Sequence, residues 1–331
     1  MKEILSALIE GKSLSRAEMR DVMIGITEER FSDTQIAALL MGIEVRGVTV
    51  DELLGLRDGL METGRLVDVS PFETIDIVGT GGDGKNTFNV STCSCFVVAG
   101  AGYKVTKHGN VASTSVSGAS NVLQEHGVKF SADRDLLMRS LDECNIAYFH
   151  APLFAYGMKF VAPTRKALQV PTCFNLLGPL VNPCRPKYNL LGTANLAQMR
   201  LYVTVLSELG VRYGVVSSYD GYDEISLTGD FKLTTNEEER VYSPASLGFE
   251  PIDGSELFGG QAKEDAAKIF DAVLSNTATL AQKNVVIANS AAAIHIMEPG
   301  KSLQDCIAIA RDSIESGKAL QTLKKFVELN S

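Results

Sequence analysis

Residues 79–92 form a glycine-rich segment, called the glycine loop, whose composition is typical of a site for phosphate groups. The segment reads GTGGDGKNTFNVST. A turn rich in glycine exposes backbone N–H groups, and a helix that begins near Asn89, Ser91 and Thr92 adds the positive end of its dipole. These features together favour an anionic ligand.

The glycine loop partly matches two nucleotide-binding motifs, and neither match is complete. Gly79, Gly81 and Gly84 fit the G-x-G-x-x-G fingerprint of dinucleotide-binding proteins, which also needs an acidic residue about 20 positions later. No Asp or Glu occurs from residue 84 to residue 124, so a nicotinamide-dependent dehydrogenase is disfavoured. The Walker motif fails because Asn86 stands where Ser or Thr is required.

A second polar segment, residues 107–117, lies in the same acid-free stretch. Its cationic, amide and hydroxyl side chains are Lys107, His108, Asn110, Ser113, Thr114, Ser115 and Ser117. Two successive donor-rich segments in a protein of net charge −9 predict a polyanion site. Lys107 has the alternative of a solvated surface position. His108 is disfavoured as a general base because no carboxylate lies near it in the sequence to orient the ring.

Asp223 and Glu224 form a candidate magnesium site after a predicted strand at residues 212–218. Adjacent carboxylates repel each other unless a cation lies between them. Oxygen ligands without a nearby cysteine or spaced histidine favour Mg²⁺, which shares its coordination shell with substrate phosphates. An exposed acidic turn is the alternative. A phosphorylated substrate bridged by Mg²⁺ accounts for both this pair and the polyanion site.

The elements that must position these residues begin with four predicted helices over residues 1–64. Three capping boxes mark helix starts, and their pairs are Ser15 with Glu18, Ser32 with Gln35, and Thr49 with Glu52. Apolar residues at positions 36, 39, 40 and 43 follow one helix face. We expect a small helical domain without chemistry of its own.

The remainder of the chain is predicted to be α/β, with a mostly parallel sheet flanked by helices. Strands are predicted at residues 74–78, 103–106, 146–149 and 212–218, and helices at 91–101, 117–126, 132–145, 264–274 and 307–329. Sheets of this kind bind ligands at the carboxyl ends of their strands. The glycine loop, the second polar segment and the acidic pair each follow such an end.

Composition limits the class of protein. A chain of 331 residues corresponds to roughly two domains. The net charge of −9 argues against a general nucleic-acid binder, and no apolar run approaches the length of a membrane span. Six scattered cysteines without a CxxC motif indicate reduced core thiols. We expect a soluble cytoplasmic protein.

Six motifs, in this order, resemble those of the anthranilate phosphoribosyltransferase family. They are residues 79–83, 89–92, 107–110, 162–165 (APTR), 174–179 (FNLLGP) and 223–224. The resemblance covers essentially the whole chain. It implies transfer of the phosphoribosyl group of phosphoribosyl pyrophosphate (PRPP) to anthranilate, with release of pyrophosphate, in tryptophan biosynthesis.

The resemblance also implies an architecture. A small all-helical domain, residues 1–65 joined by helices from about 165–190, is hinged to a larger α/β domain at residues 70–331. Members of the family are usually homodimers through the helical part. The resemblance implies no nucleic-acid partner and no membrane.

The resemblance implies PRPP contacts in both polar segments. These are Gly79, Gly82, Asp83, Thr87, Asn89, Val90, Ser91, Thr92, Lys107, His108, Gly109, Asn110, Val111, Ala112, Ser113, Thr114, Ser115 and Ala119. One Mg²⁺ would lie on Ser91 and Glu224, and a second on Asp223 and Glu224. No dedicated acid or base is implied, and Lys107 with magnesium would stabilise the transition state.

Anthranilate contacts are implied at Gly79, Asn110 and Arg165, with Gly79 between the two substrates. A guanidinium such as that of Arg165 can hold a carboxylate bidentately. Residues 151–159 (APLFAYGMK) depart from the family pattern, in which paired histidines line the anthranilate path. Here Tyr156 either stacks on the aromatic ring or packs in the core.

Two other protein classes share part of this pattern. A pyrimidine nucleoside phosphorylase has a similar fold but uses free phosphate, and it has no need of the Asp223–Glu224 pair. A non-catalytic PRPP-binding regulator would have no use for Asn110 and Arg165.

Overall fold

The computed structural model describes residues 1–112 and 116–331. Within these residues it contains 13 α-helices and seven strands, labelled in chain order. The helices are α1 (Lys2–Ile9), α2 (Arg16–Thr27), α3 (Asp33–Arg46), α4 (Val50–Thr63), α5 (Val90–Gly100), α6 (Ala119–Glu125), α7 (Arg134–Cys144), α8 (Met158–Leu168), α9 (Leu196–Glu208), α10 (Lys263–Leu274), α11 (Leu280–Met297), α12 (Leu303–Glu315) and α13 (Lys318–Asn330). The strands are β1 (Thr74–Gly79), β2 (Lys104–Gly109), β3 (Ile146–His150), β4 (Tyr188–Gly192), β5 (Arg212–Ser218), β6 (Phe231–Thr235) and β7 (Glu239–Tyr242).

The chain divides into two compact units. Unit 1 comprises Met1–Asp68 and Ala151–Arg185, and unit 2 comprises Val69–His150 and Pro186–Ser331. The second segment of unit 1 begins earlier than residue 165, because the backbone N–H of Arg65 donates to the carbonyl of Phe154 at 2.9 Å. This bond ties the segment to the end of α4.

Unit 1 contains the predicted helices. The capping boxes at the starts of α2, α3 and α4 are all present, so these sequence predictions are confirmed. Leu39, Leu40 and Ile43 on α3 are fully buried, as the helical periodicity predicts. The apolar face of α8 packs on α3, with Val161 also fully buried.

Unit 2 contains one seven-stranded sheet in the order β3-β2-β1-β4-β5-β6-β7. Strands β1 to β5 are parallel to one another, while β6 and β7 pair antiparallel at one edge. The prediction of a mostly parallel sheet is therefore confirmed. Strands β4, β6 and β7 were not predicted from the sequence.

Helices cover the sheet of unit 2. Phe96 of α5 contacts Phe270 of α10 and Phe326 of α13, with ring centroids 5.7 and 5.5 Å apart. The predicted helix at residues 307–329 is two helices, because Gly317 adopts φ +78° between α12 and α13. Among the described residues, none of the helices combines the length and the apolar character that crossing a membrane requires.

Candidate active site

The carboxyl ends of the parallel strands lie along one edge of the sheet, where the candidate residues of unit 2 collect. Strand β1 is the point at which the strand order reverses, since β2 lies on one side of it and β4 on the other. Ligands of open α/β sheets bind outside such a switch point. The loops that follow β1 and β5 both reach this place.

Asp223 lies directly against the ends of β1 and β4. A Cβ atom on Gly79 would lie 2.3 Å from Asp223 Oδ2, and one on Gly192 would lie 1.6 Å from the carbonyl oxygen of Asp223. The N–H of Gly81 donates to Asp223 Oδ2 at 2.6 Å. Two strand-end glycines therefore make room for the acidic loop, and the glycine loop holds its first carboxylate.

Glu224 is buried beside Asp223 and is held by unit 2 from several directions. Its carbonyl oxygen accepts a hydrogen bond from Ser218 Oγ at 2.6 Å, and its carboxylate accepts one from the side chain of Thr87. Glu224 Oε1 has no hydrogen-bond partner among the described residues. A buried carboxylate oxygen without a donor favours a cation as its missing partner.

Electrostatics at the site indicate the same deficit of positive charge. Burial, and secondly the charge of Asp83, raises the pKa of Asp223 to about 7. Burial, then the charges of Asp223 and Asp83, raises the pKa of Glu224 well above its ordinary value. Burial also raises the pKa of Asp83. A bound cation would stabilise the charged forms of these buried carboxylates.

The donor set fits magnesium. Carboxylate and hydroxyl oxygens are the ligands that Mg²⁺ accepts, usually together with water and substrate phosphate. In residues 1–112 and 116–331, no three His, Cys, Asp or Glu side chains converge closely enough to hold an ion by themselves. A cation held by Asp223 and Glu224 would therefore need further oxygen ligands, such as water or substrate phosphate.

The glycine loop combines exposed turns with a firmly held end. Gly81, Gly82 and Gly84 have φ values of 68°, 74° and 73°, in the left-handed region. At the other end, the N–H of Phe88 donates to the carbonyl of Leu257 at 3.0 Å. The loop therefore bends at three exposed glycines, its Gly81 amide binds Asp223, and residues near 257–260 fix its base.

Buried polar atoms without a hydrogen-bond partner accumulate around the glycine loop in the described part of the chain. They are Thr80 Oγ1, Asp83 Oδ2, Asn89 Oδ1, Ser117 Oγ and Glu224 Oε1. Native proteins leave few buried polar groups unsatisfied. Their concentration at one place points to a polar ligand there.

The first turn of α5 presents backbone and hydroxyl groups to the same region. Asn89 caps the helix without a side-chain hydrogen bond to the helix amides. Val90 and Thr92 are buried in the core, so they can reach a ligand only through the backbone. Ser91 is half-buried, and Lys107 lies behind it.

Lys107 is a buried strand residue, which corrects two expectations from the sequence. Lys107, His108 and Gly109 belong to β2, because the register of β2 with β3 pairs them with Tyr148, Phe149 and His150. Lys107 Nζ donates to the carbonyl of Ile77 at 2.5 Å and lies 3.4 Å from Ser91 Oγ. The strand therefore continues to Gly109, beyond the predicted end at residue 106. The solvated surface position is also wrong for the Lys107 ammonium group.

His108 is also buried, and the fold brings a carboxylate to its backbone. The N–H of His108 donates to Asp76 Oδ1 at 3.3 Å, and Asp76 is fully buried in β1. The two residues are 32 positions apart in the sequence. A carboxylate this distant in the sequence is not evident from the residues next to His108.

The turn after β2 is organised by Asn121 of α6. Its Oδ1 accepts the N–H of Ala112 at 2.9 Å and the N–H of Gly118 at 3.0 Å. The exposed Asn110 accepts the N–H of Ser120 on its carbonyl oxygen at 3.1 Å. These bonds hold Asn110, Ala112 and Gly118 against the start of α6. The candidates Ser113, Thr114 and Ser115 lie outside the described residues.

Ala119, the outermost PRPP candidate, begins α6. Its Cβ would lie 3.1 Å from a Cβ on Gly109, so these two candidates face each other at the end of β2. Gly109 also lies beneath the hydroxyl of Tyr148, which would be 2.5 Å from the same added atom.

Arg165 belongs to unit 1, on the last turn of α8. Burial lowers the pKa of this half-buried guanidinium. Its Nη2 donates to Asn175 Oδ1 at 3.0 Å. Tyr156, also in unit 1, is 43% exposed, so the core-packing alternative for this ring is wrong.

Two amide side chains that were not predicted from the sequence support the site. Asn289 of α11 pairs with both backbone groups of Ile225, receiving its N–H at 3.0 Å and donating to its carbonyl at 2.9 Å. Asn86 Nδ2 donates to the carbonyl of Gly260 at 2.9 Å. The sequence signal that could have identified Asn289 is the run of apolar residues around it, because an amide buried among them must have hydrogen-bond partners.

Comparison with known proteins identifies the class to which this fold and site belong. The model of the glycosyl transferase family, a/b domain, matches residues 72–320, and that of the glycosyl transferase family, helical bundle domain, matches residues 2–64. The class is thus a glycosyl transferase built from a helical bundle and an α/β domain. A relative from Phocaeicola vulgatus named anthranilate phosphoribosyltransferase is 57% identical over 331 residues, which is 100% of both chains. The chain belongs to the anthranilate phosphoribosyltransferase family.

Solved structures of the same family have the same fold. The crystal structure of anthranilate phosphoribosyltransferase from Thermus thermophilus superimposes with a TM-score of 0.92 at 30% identity and covers 98% of both chains. The enzyme from Saccharomyces cerevisiae in complex with PRPP and Mg gives a TM-score of 0.91 at 27% identity, over 99% of this chain and 96% of that one.

Proposed function

We propose that this protein transfers the phosphoribosyl group of PRPP to the amine of anthranilate. The products are N-(5-phosphoribosyl)anthranilate and pyrophosphate, and the reaction belongs to tryptophan biosynthesis. The observation that carries the proposal is the buried Asp223–Glu224 pair, with an oxygen that lacks a partner among the described residues, beside the glycine loop, whose Gly81 N–H holds Asp223. That pairing suits a magnesium-bound diphosphate, which a nucleoside phosphorylase does not need.

PRPP binds at the carboxyl edge of the sheet in this proposal. The amides of the glycine loop and the N-terminus of α5 receive its phosphates. Its contacts are Gly79, Gly82, Asp83, Thr87, Asn89, Val90, Ser91, Thr92, Lys107, His108, Gly109, Asn110, Val111, Ala112, Ser113, Thr114, Ser115 and Ala119. Lys107 contributes its charge from beneath Ser91.

Ser91, Asp223 and Glu224 hold magnesium, with two ions as the proposed number. When bound, the metal neutralises negative charge on the departing pyrophosphate. The residues around it keep Asp223 and Glu224 in place and bring backbone N–H groups to the same phosphates. Departure of pyrophosphate leaves oxocarbenium character at C1 of the ribose.

Anthranilate contacts Gly79, Asn110 and Arg165 in this proposal. The Arg165 fork suits the carboxylate of the substrate, and the aromatic amine is already neutral at physiological pH. The amine therefore needs no strong base, and the reaction depends on placement and on leaving-group stabilisation.

A homodimer through the helical unit and a cytoplasmic location complete the proposal. Ile9 at the end of α1 and Val45 on α3 are 87% and 85% exposed, which is unusual for large apolar side chains and favours a covered surface. The six buried free cysteines suit a reducing compartment. Light scattering of wild type and of an Ile9→Glu, Val45→Glu variant tests the dimer; equal masses for both proteins would contradict this surface.

The decisive experiment follows the loss of anthranilate fluorescence with PRPP and Mg²⁺. We expect turnover by the wild type and none by Asp223→Asn, Glu224→Gln at equal protein concentration. Parallel reactions with ribose 5-phosphate in place of PRPP, and with a pyrimidine nucleoside plus phosphate, should show no turnover. Turnover without magnesium, or only in the nucleoside reaction, would refute the proposal.

A further inference from the structure

We propose that Asn175 is a positioning residue that aims the Arg165 guanidinium at the substrate carboxylate while leaving its positive charge available. The inference rests on the proposed function of Arg165. It adds a reason why an amide, and not a carboxylate, stands beside that arginine.

The orientation of the Asn175 amide follows from its donors. Its Oδ1 accepts from Arg165 Nη2 at 3.0 Å and from the backbone N–H of Thr172 at 3.3 Å. Both partners are donors, so the atom between them must be the carbonyl oxygen and not the amide nitrogen.

The backbone that carries Asn175 is held independently of Arg165. Asn175 lies in a short 3₁₀ helix, Cys173–Leu176, whose first two side chains, Cys173 and Phe174, are buried. The N–H of Asn175 donates to the carbonyl of Thr172 at 2.8 Å. The amide therefore presents a fixed acceptor to the arginine, while its own side chain remains exposed to an approaching ligand.

The charge balance explains the residue type. Arg165 forms no ion pair with a carboxylate in the described ranges of the chain, and the one group that perturbs its pKa electrostatically is the thiol of Cys173. A neutral acceptor fixes one nitrogen of the fork without cancelling its charge. An aspartate in the same place would keep the hydrogen bond and neutralise the guanidinium.

The test is Asn175→Asp, which preserves size and both hydrogen bonds. We expect the KM for anthranilate to rise at least about five-fold, with the KM for PRPP and the melting temperature near those of wild type. The KM for anthranilamide, which lacks the carboxylate charge, should rise less than the KM for anthranilate. Gln321→Glu is the matched control, because it makes the same amide-to-carboxylate change at an exposed position of α13 and should leave both KM values unchanged.

A double-mutant cycle with Arg165→Gln shows whether Asn175 acts through the arginine. The effect of Asn175→Asp on the anthranilate KM should vanish in the Arg165→Gln background. An unchanged anthranilate KM in a folded Asn175→Asp protein, or an equal rise with and without Arg165, would overturn the inference. If Asn175→Asp does not fold, Asn175→Gln, which moves the acceptor by one methylene, must raise the same KM or the inference fails. Wild-type turnover measured beside these variants tests the proposed function separately.

Discussion

At the scale of single residues, the position of the Asp223–Glu224 pair depends on two glycines, which have no side chain to obstruct it. Gly79 and Gly192 end neighbouring strands, and the Asp223 segment occupies the space where their Cβ atoms would lie. At Gly192 the obstacle is a backbone carbonyl, which cannot rotate away as a side chain can. The position of Asp223 and Glu224 is therefore sensitive to one added methyl group.

Gly192→Ala should displace the acidic loop. The added Cβ would lie 1.6 Å from the carbonyl oxygen of Asp223, and φ at Gly192 is not in the left-handed region, so the clash is the cause of the penalty. We expect a loss of about 1 to 3 kcal/mol in the free energy of unfolding, as for other overpacked sites. Urea denaturation measures it, and magnesium-dependent activity should fall in parallel.

The control for this variant is Gly300→Ala. No atom lies within 4 Å of the Cβ it would add, and Gly300 also has no left-handed φ. If Gly192→Ala were as stable and as active as Gly300→Ala, the close approach of Asp223 would not constrain the site.

Glu224→Gln should separate stability from activity. The variant replaces a buried carboxyl group, whose ionisation burial disfavours, with a neutral amide, so the magnesium-free protein should gain about 1 to 3 kcal/mol. Turnover should fall about 100-fold or more because magnesium loses a ligand. Thermal melts with and without Mg²⁺ measure the first effect and the fluorescence assay the second. A variant that is less stable than wild type and whose melting temperature still rises with Mg²⁺ would contradict the assignment of Glu224 as a magnesium ligand.

At the scale of elements, helix α11 positions the loop that carries the acidic pair. Asn289 satisfies both backbone groups of Ile225 and also donates to the carbonyl of Val285 on its own helix at 2.9 Å. A single amide therefore joins the helix to the loop residue that directly follows Glu224. The remaining face of α11 is apolar and buried.

Asn289→Leu should loosen this connection. The N–H and carbonyl of Ile225 would lose their partner in a buried place, which costs about 1 to 3 kcal/mol for each unsatisfied group. We expect reduced stability in urea and a higher magnesium concentration for half-maximal activity. Asn284→Ala is the control on the same helix, since Asn284 Oδ1 has no partner in the described residues. Equal effects of the two changes would exclude a specific role for Asn289.

The helices of unit 1 are joined by a buried carboxylate that makes stability depend on pH. Burial raises the pKa of Glu52, but hydrogen bonds from Arg46 and from the N–H groups of Leu14 and Thr49 outweigh it, and the net pKa lies below the ordinary 4.5. Arg46 Nη2 reaches both carboxylate oxygens, at 2.6 and 2.7 Å. A lowered pKa means that this stabilisation is complete above 4.5 and is lost as pH falls through the folded-state value.

Glu52→Gln should therefore destabilise the protein most at neutral pH. We expect a loss of about 3 to 5 kcal/mol there, because one partner of a buried pair is removed. The difference from wild type should shrink as the pH falls below 4.5. Urea denaturation at a series of pH values measures it, with the exposed Glu328→Gln as control. A difference that is independent of pH would contradict the pairing.

At the scale of the whole molecule, unit 1 is assembled from two separate stretches of chain. Arg57 Nε donates to the carbonyl of Leu180 at 3.1 Å, and the N–H of Val67 donates to the carbonyl of Pro183 at 3.1 Å. The segment from Ala151 to Arg185 therefore has its packing partners in residues 1–68. The N-terminal helices are needed to cover that segment.

A chain that begins at residue 69 should not fold cleanly. Removal of α1 to α4 exposes Val161 and other buried apolar side chains of the 151–185 segment, so we expect dye binding, aggregation and no cooperative melt near the wild-type temperature. Co-expression with residues 1–68 should restore solubility. A soluble, cooperative truncated chain would show that the 151–185 segment does not depend on the N-terminal helices.

Features that depend on neighbouring residues can be predicted from the sequence alone. The capping boxes, the alternation of strands and helices, the glycine loop and the Asp223–Glu224 pair are all written in short stretches, because turns, caps and periodicity act over a few positions. The family resemblance extended this to a candidate set of site residues. Those assignments in the binding site remain predictions.

Contacts between residues that are distant in the sequence are fixed by the fold. Gly81 and Asp223 are 142 positions apart, Lys107 and Ile77 are 30 apart, and Asn289 and Ile225 are 64 apart. Strand order and register fix these meetings, and a buried polar group then takes whatever partner the fold brings to it. For this reason the burial of Lys107 and the support from Asn289 could not be predicted from local sequence.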